Sequence, residues 1–248
     1  MLNVLRSDIY RLFHRITLYI MLICTVVFAF FVGFFGSFDD TTTDTIITSI
    51  GSLLPLLCAT IATSAIITAE YKNGYIKNTV SVAGNRLYVY FSKLIISALL
   101  LIFAIISFLD IYLLAVIINP KATLLVLNLD MASVFAYLGF QFLSGMAIIS
   151  LVLLVAMLSR SNAIGCLTAF AICVGIINSS INLLSYLLKA KEIIPENVEL
   201  TDYLVTTYTT QINFYSGSDF VTKGVIVSLV YLVISVALSM LVIKKRDI

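Results

Sequence analysis

Six predominantly apolar runs of about 20 residues or more, the length a helix needs to cross a bilayer core, alternate along this chain with polar intervals. They are Ile16–Phe35, Ile46–Ala69, Leu94–Ile118, Met131–Leu158, Ala163–Leu188 and Gly224–Ile243. Pro55 lies inside the second run, where a ring without an N–H is expected to kink or loosen the helix. Asp110 interrupts the third run and the Asn/Ser group near Asn178 the fifth, without ending either. The pattern predicts an all-α polytopic membrane protein with six transmembrane helices in one domain spanning residues 1–248.

The polar intervals are unequal. Ahead of the first run, Leu2, Leu5, Ile9, Leu12, Phe13 and Ile16 fall within about 100° on a helical wheel, with Arg11, His14 and Arg15 on other faces. That is the pattern of a helix over residues 2–15 lying in the headgroup plane, its cations drawn to anionic membrane lipid. The alternative is a polar extension of the first span. Ser37–Thr45 is short and acidic, and reads as a turn. Lys189–Lys223 is long and holds Pro195, several acids and the polar–aromatic run Leu204–Phe214, so one or two short helices are expected there. Glu70–Lys93 is charged and punctuated by Gly74 and Gly84, with room for a short helix outside the membrane.

Charge then orients the chain. With the N-terminus inside, the cytoplasmic intervals hold eleven cations and three acids, against four cations and nine acids on the other side. Such an excess of Lys and Arg predicts cytoplasmic termini and places Glu70–Lys93 in the cytoplasm. The whole composition agrees with a membrane protein: 11% of residues are charged, where a soluble domain has about 25%, and the mean hydropathy is +1.10. A net charge of +2 offers nothing to a nucleic acid. The first run is too long for the apolar core of a cleavable leader and is expected to remain as a span. Cys24, Cys58, Cys166 and Cys173 all lie inside apolar runs without CxxC spacing, so they read as buried, inert thiols.

Candidate chemistry is sparse. No GxxxxGK[ST] stretch occurs in the 248 residues, and His14 is the only histidine, so neither a P-loop, a His-based metal cluster nor a Ser-His-Asp set can be assembled. No catalytic or metal residues are assigned. The polar residues inside the runs are more informative. Asp110 lies about 24 Å into its helix counted from Leu94, a depth where an unpaired charge is costly. Asn178 and Asn182 stand near that depth in the fifth run, and Gln141 somewhat closer to the centre. Asp110, Gln141, Asn178 and Asn182 therefore form a candidate substrate path or gate, with Asp110 turned into the bundle near the two asparagines. The competing readings are helix–helix glue, or a carboxylate reaching the headgroups. Gly139, Ser144, Gly145, Ala147, Gly165, Ala169 and Gly175 predict close helix packing in the fourth and fifth spans.

One interval carries a family pattern. Glu70-Tyr71-Lys72-Asn73-Gly74-Tyr75-Ile76-Lys77-Asn78-Thr79, followed by Gly84-Asn85-Arg86 and Lys93, resembles the segment after the second span in permease subunits of the ABC-2 type family of ATP-driven exporters. Asn85 is a departure, a Ser being usual there. The motif covers about 24 residues and the layout the whole chain. The resemblance implies a coupling helix at Glu70–Val82 that docks on separate ABC ATPase subunits. Glu70, Tyr71, Lys72, Asn73, Gly74, Ile76, Lys77, Asn78 and Arg86 are then the coupling residues. It implies that residues 2–15 form the interfacial connecting helix and that 189–223 carries external helices. ATP and Mg would be held by the partner, with no cofactor in this chain. A second permease chain, identical or different, would complete the path in a bacterial plasma membrane. Small permeases of this build expel antimicrobial or amphipathic peptides, giving immunity or resistance. A secondary transporter or channel with an ion site near Asp110, and a non-transporting membrane anchor or sensor, are the other classes considered.

Overall fold

Helix formation follows the apolar runs closely where they are uninterrupted. The computed structural model describes residues 2–35, 53–72, 86–118, 131–191, 195, 200–210 and 218–245. Among them there are helices and turns but no strand. The helices are α1 (Leu2–Phe13), α2 (Ile16–Phe35), α3 (Leu53–Lys72), α4 (Arg86–Ile118), α5 (Met131–Ser159), α6 (Asn162–Cys173), α7 (Ile176–Ala190), α8 (Val205–Thr210) and α9 (Ser218–Lys245), with a 3-10 turn at Leu200–Tyr203. Five of them (α2, α3, α4, α5 and α9) are long and apolar enough to cross a membrane. The pair α6 and α7 makes a sixth if counted as one bent span.

That bend corrects the expectation of a continuous fifth span. α6 and α7 meet at 58°. Gly175 sits between them with φ 81°, in the left-handed region where a side chain would be strained. The Gly175 N–H bonds back to Ile172 O, and its own carbonyl accepts the Ser179 N–H and hydroxyl. One glycine thus ends one helix and starts the next. The Asn178–Asn182 stretch lies wholly in the second half. Pro55 is the third residue of the described helix, and the residues that precede that helix lie outside the described ones.

α3 and α5 are buried over most of their length and α2 and α9 over little of it. α4 and α6 each pack on both members of this inner pair, α2 packs on α3 and α4, and α9 packs on α5 and α4. Between apolar helices in lipid, close packing and hydroxyl bonds replace the hydrophobic drive, and both are present. The buried stripe of α2 runs Leu18, Met21, Thr25, Ala29, Gly33, shrinking toward its end. A Cβ on Gly33 would lie 2.8 Å from Ala115 Cβ of α4. α9 faces α5 with Gly224, Ser228, Ser235 and Ser239, and Ser235 shares a hydrogen bond with Ser150. Buried hydroxyls on α3 satisfy themselves on their own helix: Thr60 donates to Leu57 O at 2.9 Å, Thr63 to Ala59 O at 2.8 Å and Thr68 to Ser64 O at 2.8 Å.

The small residues of α5 and α6 divide in two. Gly145 meets Leu101 and Leu56, and Gly165 lies against Ser64 and Ala156, as close packing requires. Ser144, Ala147 and Ala169 are buried. Gly139 and Gly175 depart from that expectation: a Cβ on either would meet nothing within 4 Å. Gly175 serves the bend, and Gly139 opens onto a groove.

Candidate functional site

Asp8 is the one acid in a basic helix, and it stands on the buried side of that helix with Leu12. On a 3.6-residue period Asp8, Leu12 and Arg15 share a face, and this face packs on α4. Leu12 is buried on this face, while Phe13 and Ile16, which belong to the expected lipid-facing stripe, are exposed on the protein surface. Phe13 makes an edge contact with Phe103 at 6.0 Å.

α4 starts at Arg86, eight residues before the expected span. Leu87-Tyr88-Val89-Tyr90-Phe91 continues the helix, so Ser92 and Lys93 become residues of its buried face instead of its polar entrance. α3 likewise continues through Glu70, Tyr71 and Lys72. Glu70 is one turn beyond Ile66 and equally inward. Three helix ends thereby converge, each contributing a charge.

The result is a chain of alternating charges. Lys93 Nζ lies 2.8 Å from Asp8 Oδ2 and 2.6 Å from Glu70 Oε2, and Arg15 Nη2 lies 3.3 Å from Glu70 Oε1. Arg15 Nη1 also donates to Ile66 O at 2.9 Å, and the Ser92 hydroxyl to Asp8 Oδ2 at 2.6 Å. The side chains of Asp8, Glu70 and Lys93 are 1–3% exposed and that of Arg15 21%, so the order runs from interior to rim. Two acids and two bases cancel. Within this set of four, Asp8 Oδ1 is the buried carboxylate oxygen left without a partner among the described residues. Breaking any inner link would strand a buried charge at a cost of about 3–5 kcal/mol. Alongside, Arg160, in the turn between α5 and α6, places its guanidinium 5.7 Å from the Tyr71 ring centroid.

Of the expected coupling residues, Glu70 and Tyr71 are held in this assembly. Lys72 and Arg86 are helical, and nothing is described of their side chains. Asn73, Gly74, Ile76, Lys77 and Asn78 lie outside the described residues. What is described is the root of the segment: the two helices that bracket 73–85 are pinned to each other, α4 to α1, and α3 to Arg15 in the link between α1 and α2. Asp8, Arg15, Ser92 and the pairing role of Lys93 were missed from sequence. The seven-residue spacing of Asp8 and Arg15 about Leu12 was the available signal.

The second group of expected residues is not assembled. Asp110 is exposed on α4, which packs chiefly on α2, α3, α5, α1 and α9. Asn178 accepts a hydrogen bond from Thr206 of α8, tying α7 to the polar–aromatic run, and Asn182 is exposed. Gln141 is buried with its Oε1 unpartnered among the described residues. The expectation that Asp110 turns inward toward the asparagines is thus corrected. Thr206 satisfies Asn178, and the outer face of α4 carries Asp110 in series with Ile102 and Ile106. No metal-binding group of His, Cys, Asp or Glu occurs among the described residues. No protein-family model and no curated protein matches this chain.

Proposed function

We propose that this chain is the membrane-spanning permease subunit of an ATP-driven exporter of the ABC-2 type, working with separate ATPase subunits and a second permease chain. The observation that carries the reading is the buried chain Asp8–Lys93–Glu70–Arg15 at the root of residues 73–85. A segment that takes up force from outside the membrane needs a stiff attachment. An alternating set of buried charges is one, because each link can break only by exposing a costly partner. Force applied at 73–85 would move α1, α3 and α4 together. Since α3 lies at the centre of the bundle, the movement would reach the far end through packed helices. The basic character of this end supports a cytoplasmic placement, with both termini inside and six spans when α6 and α7 count as one. ATP and Mg would be bound by the partner, and antimicrobial or amphipathic peptides are the proposed cargo of a bacterial plasma-membrane complex. The transporter or channel alternative relied on a polar cage around Asp110, and no described side chain pairs with that carboxylate.

The test is affinity purification of the tagged chain from its own membranes in mild detergent. A nucleotide-hydrolysing subunit is expected to accompany it. Ile76→Pro should release that subunit. Glu70→Gln should retain it while abolishing most of the stimulation of its hydrolysis by cargo. Absence of any such subunit, or wild-type export by both variants, overturns the proposal.

A further inference from the structure

Ile102, Ile106 and Asp110 follow one another at four-residue steps along the exposed face of α4. Beside the two isoleucines lies an open groove of about 340 Å³, lined by Ile102, Ile105 and Ile106 of α4 and by Phe135, Leu138, Gly139 and Phe142 of α5. That is within the range that takes a small ligand. Its floor exists because residue 139 has no side chain: a Cβ there would meet nothing within 4 Å. The lining is wholly apolar. Asp110 stands one helical turn, roughly 6 Å, beyond Ile106 on the same face, and no described cation pairs with it. It is eight residues short of Ile118, where the apolar run ends, so the carboxylate is set about 12 Å inside that end of the run.

We propose that this groove binds an amphipathic cation from the bilayer, its apolar body between α4 and α5 and its charged group on Asp110. The complementarity is specific in sign. An acyl chain or a neutral amphiphile would fill the groove but leave the carboxylate unmatched in a medium where that is costly. A second copy of the chain docked here about a two-fold axis would bring the two Asp110 carboxylates toward each other in low dielectric. A ligand with an apolar tail and one cationic head satisfies both parts at once. As a statement about exported cargo the inference rests on the exporter reading. As a statement about binding it does not.

The experiment uses the full chain in phosphatidylcholine nanodiscs without nucleotide or ATPase, with dodecyltrimethylammonium as probe and dodecanol as its uncharged counterpart. Saturable binding of the cation is expected. Asp110→Asn should weaken it about tenfold and leave dodecanol unchanged. Gly139→Leu, which fills empty space, should weaken both probes without lowering the melting temperature. If Gly139→Leu unfolds the chain, the Asp110→Asn comparison decides alone. Non-saturable partition of the cation, or equal affinity in wild type and Asp110→Asn, overturns the proposal. So do disulfide-linked dimers of Gly139→Cys, which would assign the groove to a second copy. A bound cation without any co-purifying ATPase would refute the exporter reading and leave the site standing. The reverse result would remove the site alone.

Discussion

Lys93 is the residue on which the buried charges depend, because among the described ion pairs it is the cation that touches both carboxylates. Lys93→Met leaves Asp8 without a counter-charge inside packed helices and leaves Glu70 with Arg15 alone. We expect it to cost about 3–5 kcal/mol, measured by reversible unfolding in mixed micelles. Arg15→Met should cost roughly 1 kcal/mol or less. Arg15 is partly open to solvent and its pair is longer, at 3.3 Å, so water can replace it. Combining Lys93→Met with Asp8→Asn should recover much of the loss, since Glu70 and Arg15 then remain as a neutral pair. Equal effects of the Lys93 and Arg15 single variants would show that the interior-to-rim order has no energetic weight.

At the level of elements, two glycines in neighbouring helices do different work, and substitution separates them. A Cβ on Gly165 would lie 2.1 Å from Ser64 Oγ and 3.1 Å from Ser64 Cβ. The Ser64 hydroxyl, which donates to Asn162 Oδ1 at 3.3 Å, can rotate, but its Cβ cannot. Gly165→Ala should therefore push α6 from α3 and cost about 1–3 kcal/mol, and Ser64→Gly in the same chain should restore most of that. Gly175→Ala meets no neighbour and is opposed only by its backbone, at about 1–2 kcal/mol. Ser64→Gly should give it no relief. Thermal unfolding of the four variants checks the contrast. Rescue of both glycine variants, or of neither, contradicts the packing described for α3 and α6.

For the whole molecule, orientation can be tested on described, exposed positions. In a background lacking Cys24, Cys58, Cys166 and Cys173, a membrane-impermeant thiol reagent on intact cells is expected to label Asp202→Cys but not Ser7→Cys. These residues lie beside α8 and on α1, and both are exposed. The reverse pattern would invert the topology, place residues 73–85 outside the cell and end the exporter reading. The same orientation puts the Asp110 groove toward the outer side. An amphipathic cation in the outer leaflet would then meet its carboxylate within that leaflet.

Hydropathy alone was enough to expect helices long and apolar enough to span a membrane, and the described residues bear that out. A run of about 20 apolar residues has few other stable fates, since in lipid every backbone polar group must be satisfied within the helix. α2 matches its predicted run end to end, and α5 differs by a residue at its close. Glu70 and the root of the charged interval were also legible, because a charge excess is a local property of sequence. The partners of Glu70 were not. Asp8 and Arg15 are separated from it by 62 and 55 positions, and in a one-dimensional reading their charges look solvated. Only the meeting of α1, α3 and α4 turns four ordinary surface residues into one buried set. Asp110 shows the converse. Its depth could be counted along the helix, but the side of α4 on which it lies is set by which face α2, α3 and α5 occupy. Those helices cover the other faces and leave Asp110 beside an open groove. Gly175 belongs with it: a glycine in an apolar run fits a continuous helix as well as a break, and the tertiary path bends there because only that residue takes a positive φ without strain.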